Sequence, residues 1–172
     1  SELMGMGYAI FMKAQYLNQT MFLGYAIMSK SNVLFLCTGN SARSQMAEAL
    51  LRWHAADHFN VFSAGLEPKA VNPLAIRVME EMGISMSSHR PKHLSEYVGK
   101  MDFTYLITVC GNAEENCPYF PGMGQRLHWG FDDPAAVTGS EEEKLAAFRR
   151  VRDEIDGAIL HWLAQQGIQA AR

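Results

Sequence analysis

The sequence predicts an α/β domain, a four-stranded parallel sheet with helices on both faces. Three observations carry that expectation. Short segments rich in apolar and β-favouring residues alternate along the chain with stretches whose apolar residues recur at helical spacing. One of these segments, DFTYLITV from Asp102 to Val109, is continuous enough to be buried on both faces, as strands of a covered parallel sheet are. A chain of 172 residues with 48% hydrophobic content has an ample core for one domain and no need of a second.

The elements follow in order. Val33 to Cys37 (VLFLC) reads as the first strand; it gives way abruptly to short polar residues, and Ala42 to Trp53 then carries apolar residues at helical spacing. Asn60 to Ser63 reads as the second strand, ending at Ala64-Gly65. Asn72-Pro73 opens a helix with an N-cap and a proline at its first position; Ile76, Met79 and Met82 form its apolar face and Gly83 closes it. The third strand, Asp102 to Val109, ends at Cys110, and the polar run from Gly111 to Pro118 supports only a short, weakly held helix. Gln125 to Trp129 is the fourth strand, followed by the acidic loop Phe131-Asp132-Asp133-Pro134. Ser140 and Glu143 form a capping box for the last helix, which runs to Gly167 with Leu145, Phe148, Val151, Ile155, Ile159 and Trp162 on one face.

In such a sheet, with right-handed crossovers, ligands bind outside the carboxyl ends of the strands, where the strand order reverses. Cys37, Cys110 and the Asp132-Asp133-Pro134 loop all fall at those ends. Topology alone therefore gathers three chemically distinctive segments at one edge.

The stretch from Cys37 to Ser44 has the makings of an oxyanion site. Thr38, Gly39, Asn40, Ser41 and Ala42 are small enough for the loop to curl its backbone N–H groups around a tetrahedral anion, and the helix that follows adds the positive end of its dipole. Arg43 offers a two-toothed fork to the anion's oxygens. Cys37 is expected at the bottom of that cup as a nucleophile already ionised at neutral pH, with Ser44 donating a hydrogen bond to the sulfur. A lone cysteine ending a buried strand is otherwise ordinary core; Gly39, Arg43 and Ser44 at these offsets make the difference.

Cys110 and Cys117 stand too far apart for a C-x-x-C motif and lack the paired spacing of a zinc site. They are either incidental or, with a nucleophilic thiol nearby, partners in disulfide exchange across a segment that can partly unfold. Asp133 precedes a proline that holds its backbone extended, and is either a turn residue or a general acid over the cup.

Composition excludes several classes. With 15 basic against 18 acidic residues there is no basic bias for nucleic acid and no charge run that would make an interaction tail. Three cysteines without a framework spacing suit a reducing cytoplasm. No metal or organic cofactor is expected. Residues 1–27 are rich in Met, Tyr and Phe and contain GYAI twice. They hold neither the run of about 20 apolar residues of a membrane span nor the basic segment of a signal peptide. Met28-Ser29-Lys30 has the character of a domain start, so 1–27 are expected to be an extension of uncertain origin ahead of a domain from 28 to 172.

The Cys37 to Arg43 loop resembles the C-x5-R signature of the protein tyrosine phosphatases. Its setting, LCTGNSARSQMAEALL from Leu36 to Leu51, is similar to the low-molecular-weight phosphatase superfamily and, within it, to the arsenate reductases. HWGFDDPA, His128 to Ala135, and FRRVRDEI, Phe148 to Ile155, resemble the acid loop and last helix of the thioredoxin-coupled arsenate reductases. The resemblance spans about residues 32 to 163. It implies a flavodoxin-like domain that reduces arsenate to arsenite, with thioredoxin as reductant and weak phosphatase activity as a side reaction. It further implies Cys37 as nucleophile, Arg43 as oxyanion clamp, Ser44 as thiolate stabiliser, Asp133 as general acid, and Cys110 and Cys117 as second and third cysteines of a disulfide relay. Some members carry a cysteine where this chain has Ala42, and some bind potassium through an Asn, a Glu, a Ser and an Asp. Asn40, Glu48 and Ser63 match the first three, but Lys92 stands at the fourth position, so only a vestigial cation site is expected. Two other readings remain open: a phosphatase, in which water attacks a phosphocysteine, and an oxyanion-binding or redox-sensing module without turnover.

Overall fold

Val33, Leu34, Phe35 and Leu36 are fully buried, so the strand they form has no exposed side. In the computed structural model, which describes residues 29–172, this strand is β1 (Ser31–Cys37) and the rest of the unit Ser31–Arg172 is built on it. The extension expected at 1–27 lies outside the described residues. Parallel partners flank β1: β2 (Phe59–Gly65) on one side and β3 (Phe103–Thr108) on the other, with β4 (Met123–His128) beyond β3. The order β2-β1-β3-β4 reverses direction between β1 and β3, so the expected doubly wound sheet is found and its switch point lies where Cys37 ends β1.

The register sorts side chains onto two faces. Phe59 and Tyr105 share the face that meets Trp162, with ring centroids 5.2 and 5.0 Å from it, and Phe35 reaches the same cluster through Trp129. Each large side chain removed from water there contributes about 1.5–3 kcal/mol. Trp162 belongs to α4 (Glu141–Gln165), which packs with α1 (Arg43–Ala55) and α2 (Pro73–Glu80). The opposite face carries Leu106 paired with Arg126 and Thr108 paired with His128, and meets α3 (Gly111–Asn116).

Local chemistry sets the starts of α2 and α4 as the sequence indicated, but α2 ends at Glu80, a turn before Gly83, and buries Ala75, Val78 and Met79, with Ile76 and Met82 only half-buried at its flank. Asn72 Oδ1 accepts the Leu74 N–H before Pro73, and Ser140 and Glu143 form the capping box of α4. In contrast α1 has Ala42 at its N-cap and no side-chain cap, so its first N–H groups are left to the loop before it. Two departures from expectation concern the sheet edge. Burial on both faces of β3 is confined to Leu106–Thr108, with Thr104 exposed, because short α3 covers only the carboxyl end of that face. Strand β4 starts at Met123 and has no fully buried residue, as befits an edge.

Candidate active site

Every carbonyl of the loop from Cys37 to Ala42 is engaged. The N–H groups of Leu66, Glu67, Lys69 and Asn72 donate to the carbonyls of Cys37, Thr38, Gly39 and Ser41, and Met46 N–H takes that of Ala42. Gln45 Nε2 takes the Asn40 carbonyl at 3.0 Å. With its carbonyls bound away, the loop is left with N–H groups for its concave side, the arrangement that holds anions. Asn40 sits at φ 45°, the left-handed region, and is fully buried. Gly65, level with Cys37 on β2, lets the loop come close: a Cβ there would lie 2.7 Å from Thr38 O and 2.9 Å from Asn40 N.

Asn40 also orders the hydroxyls beneath the loop. Its Nδ2 donates to Ser44 Oγ at 2.9 Å and to Ser63 Oγ at 3.0 Å, while its Oδ1 accepts from Gln45 Nε2 and Lys92 N–H, both at 2.9 Å. Ser44, already accepting from Asn40, is left to donate to Cys37 Sγ at 2.8 Å, and Asn40 N–H donates to the same sulfur at 3.1 Å. Burial nevertheless pushes the Cys37 thiol up, outweighing the Ser44 hydroxyl and the Ser44 and Asn40 N–H groups that favour the thiolate. The expectation of a standing thiolate at neutral pH is thereby corrected: the residue is only 3% exposed, and the Arg43 guanidinium is engaged elsewhere. Removing a donor to the charged form raises a pKa further, so Ser44→Ala should move the alkaline rise in Cys37 alkylation by iodoacetamide to higher pH. A rise at the same or lower pH would contradict the hydrogen-bond direction assigned here.

Arg43 joins two loops. Its Nη1 donates to Phe131 O at 2.9 Å, and its Nη2 lies 3.9 Å from Asp133 Oδ2. Asp133 caps the 3₁₀ turn Pro134–Ala136, accepting the Ala135 N–H at 3.0 Å, and its half-exposed side chain stands on the lip of a cavity of about 560 Å³. That cavity is lined by Cys37, Thr38, Ser41, Arg43, Lys69 and Asp133, among others. Cys110 is buried beside it, its sulfur 3.5 Å from Thr38 Oγ1. Cys117 is not brought there. It is the C-cap of α3, as Cys110 is the N-cap, with its sulfur 3.5 Å from Pro118 O and its thiol pushed up by burial. The six residues of α3 lie between the two, so that seven steps of helical rise separate them by about 10 Å along the axis.

Two cavity residues were not legible in the sequence. Lys69 arrives because its segment pairs with the loop carbonyls, and Asn112 because α3 starts at the edge; Asn112 Nδ2 donates to Thr38 Oγ1 at 2.8 Å. Only the placement of the β2–α2 connection at the carboxyl edge could have pointed to Lys69. Under the loop, Lys92 Nζ lies 3.5 Å from Glu48 Oε2 and donates to Arg90 O at 2.8 Å, while Ser63 Oγ donates to Glu48 Oε2. A tethered ammonium thus stands beside the buried carboxylate, its pKa lowered by burial and held up in part by Glu48. Among the described residues no group of three or more His, Cys, Asp or Glu side chains could hold a metal ion.

An oxyanion in this cavity would rest its central atom against a sulfur, with donors around its oxygens and a carboxyl at its open side, which is how phosphatase-type cysteine enzymes are built. Residues 32–171 match the model of the low molecular weight phosphotyrosine protein phosphatase family, and the chain belongs to that family. A curated relative, the arsenate reductase of Halalkalibacterium halodurans, is 48% identical over 133 residues, covering 77% of this chain and 94% of its own. Among solved structures, an arsenate reductase in the phosphate binding state superposes with a TM-score of 0.67 at 30% identity, over 78% of this chain and 98% of that one. The thioredoxin-dependent arsenate reductase of Corynebacterium glutamicum gives 0.60 at 30% identity, over 79% and 61%.

Proposed function

We propose that this chain reduces arsenate to arsenite through Cys37 and a relay of its three cysteines, with thioredoxin restoring the thiols. The observation that carries the reading is the placement of Cys110 against the anion loop and Cys117 at the other end of one short helix. A phosphatase, in which water completes the reaction, has no use for either. The arsenate reductases among the relatives support the choice of substrate.

The chemistry balances with these groups. The Cys37 thiol passes its proton to an arsenate oxygen as its sulfur attacks arsenic held by the loop amides and Arg43, and Asp133 protonates the departing hydroxyl, which leaves as water. The Cys110 thiolate then attacks Cys37 Sγ; the sulfur–arsenic electron pair goes to arsenic, arsenite departs, and a Cys37–Cys110 disulfide remains. Cys117 attacks Cys110, freeing Cys37 and leaving a Cys110–Cys117 disulfide for the external dithiol. A relay of free thiols fits a reducing compartment such as the cytoplasm. No helix among the described residues is long and apolar enough to cross a membrane.

The test is arsenate-dependent NADPH consumption with thioredoxin and its reductase, run beside a glutathione and glutaredoxin system. Turnover with thioredoxin supports the proposal; turnover with glutaredoxin alone would replace the reductant, and none with either would leave the phosphatase reading. The Lys92 ammonium beside Glu48 is proposed to do the work of a bound cation, repelling potassium by like charge while holding the loop. Exchanging sodium for potassium at constant ionic strength should leave Tm and activity unchanged, and a saturable rise in either would contradict this.

A further inference from the structure

A helix of six residues does not stand by its own hydrogen bonds, since isolated helices below about 12–15 residues are marginal in water. Packing does little more for α3, whose one buried side chain is Ala113. Asn112 Nδ2 ties its first turn to Thr38 Oγ1, and what holds the carbonyls of its last turn is a guanidinium from the neighbouring strand. Arg126 Nη2 donates to Glu114 O, Nη1 donates to Cys117 O at 3.3 Å, and Nε donates to Glu114 Oε2 at 3.3 Å. The last carbonyls of a helix have no partner within it and form its negative pole, and this is where the charge sits. Thr108 Oγ1, on the same face of the sheet as Arg126, donates to the Glu114 carboxylate and fixes it from the other side. The Arg126 side chain is 15% exposed, with Tyr119 lying over it at 5.3 Å. All three guanidinium nitrogens are thus spent on Glu114 and Cys117.

A disulfide requires Cα atoms about 4.4–6.8 Å apart, well inside the separation that α3 imposes on Cys110 and Cys117. At least its last turn must unwind, and that is the turn whose carbonyls Arg126 binds. We infer that Arg126 is a positioning residue for the relay: it keeps α3 wound and Cys117 buried during the attack on arsenate, and its release of Glu114 and Cys117 is the motion that delivers Cys117 to Cys110. The inference rests on the relay proposed above.

The test compares native protein with Arg126→Ala and with Arg126→Lys, which keeps stem and charge but loses the fork. In the reduced protein, amide exchange at Cys117, whose N–H donates to Ala113 O, and peptide-resolved alkylation of Cys117 by iodoacetamide should both quicken. About tenfold is expected for Arg126→Ala, the scale of one lost charge-assisted hydrogen bond, with less for Arg126→Lys. Exchange at Met46 and alkylation of Cys37 should not move. After one equivalent of arsenate, conversion of the 37–110 disulfide to 110–117 should accelerate in Arg126→Ala while arsenite release keeps its native rate. Unchanged exchange and alkylation at Cys117, in a native protein that relays normally, overturn the inference alone. A parallel rise at Met46 reduces Arg126 to a general stabiliser and overturns it too. Loosening of α3 with no arsenate-dependent disulfide even in native protein defeats the relay and, with it, the role assigned to Arg126.

Discussion

Cys117→Ala should complete about one turnover and stop, its steady-state activity falling to background. Cys110 closes a buried strand at the edge where Cys37 lies, so the first exchange needs little motion. The second thiolate cannot come from anywhere else, because the chain has only these three cysteines. The variant should therefore collect as a Cys37–Cys110 disulfide, whereas Cys110→Ala should make no such bond. Non-reducing peptide mass mapping after a single arsenate addition reads both. Sustained turnover of Cys117→Ala with thioredoxin, or absence of the 37–110 link in it, would overturn the assigned order.

Arg43→Lys should lower kcat/KM by about 10²–10³, the usual cost of removing one preorganised oxyanion donor. A point ammonium has no fork with which to match two oxygens, and here the loss is compounded. Arg43 also ties the anion loop to the acid loop through Phe131 O, with Asp133 Oδ2 3.9 Å away, and a lysine cannot keep both relations while gripping the anion. Steady-state kinetics in the thioredoxin-coupled assay gives the answer, and an Arg43→Lys enzyme with native kcat/KM would remove the clamp from the account.

Much of this was legible before any coordinates. The run of apolar residues in β1, the Asn72-Pro73 start of α2 and the capping box of α4 are local chemistry, and each appears where the pattern put it. The edge that gathers Cys37, Cys110 and Asp133 followed from alternation of strands and helices, because topology needs only the order of the elements. What the sequence did not disclose depends on tertiary surroundings. The ionisation of Cys37 cannot be read from the loop, because charge and dipole are visible in its residues, whereas the burial that outweighs them is contributed by the packed fold. Lys69, Asn112 and Arg126 sit in segments without period or motif, and acquire their partners only when separate elements meet. Lys92 drew notice through family resemblance, and its ammonium beside Glu48 is a geometric fact no spacing rule supplies.

The central claim is that arsenic is reduced with electrons from this chain's own cysteines. Fully reduced protein mixed with excess arsenate, with no external reductant, should release one arsenite per chain while titratable thiols fall from three to one. Retention of all three thiols with no arsenite formed, in protein that hydrolyses a phosphate monoester, would contradict it.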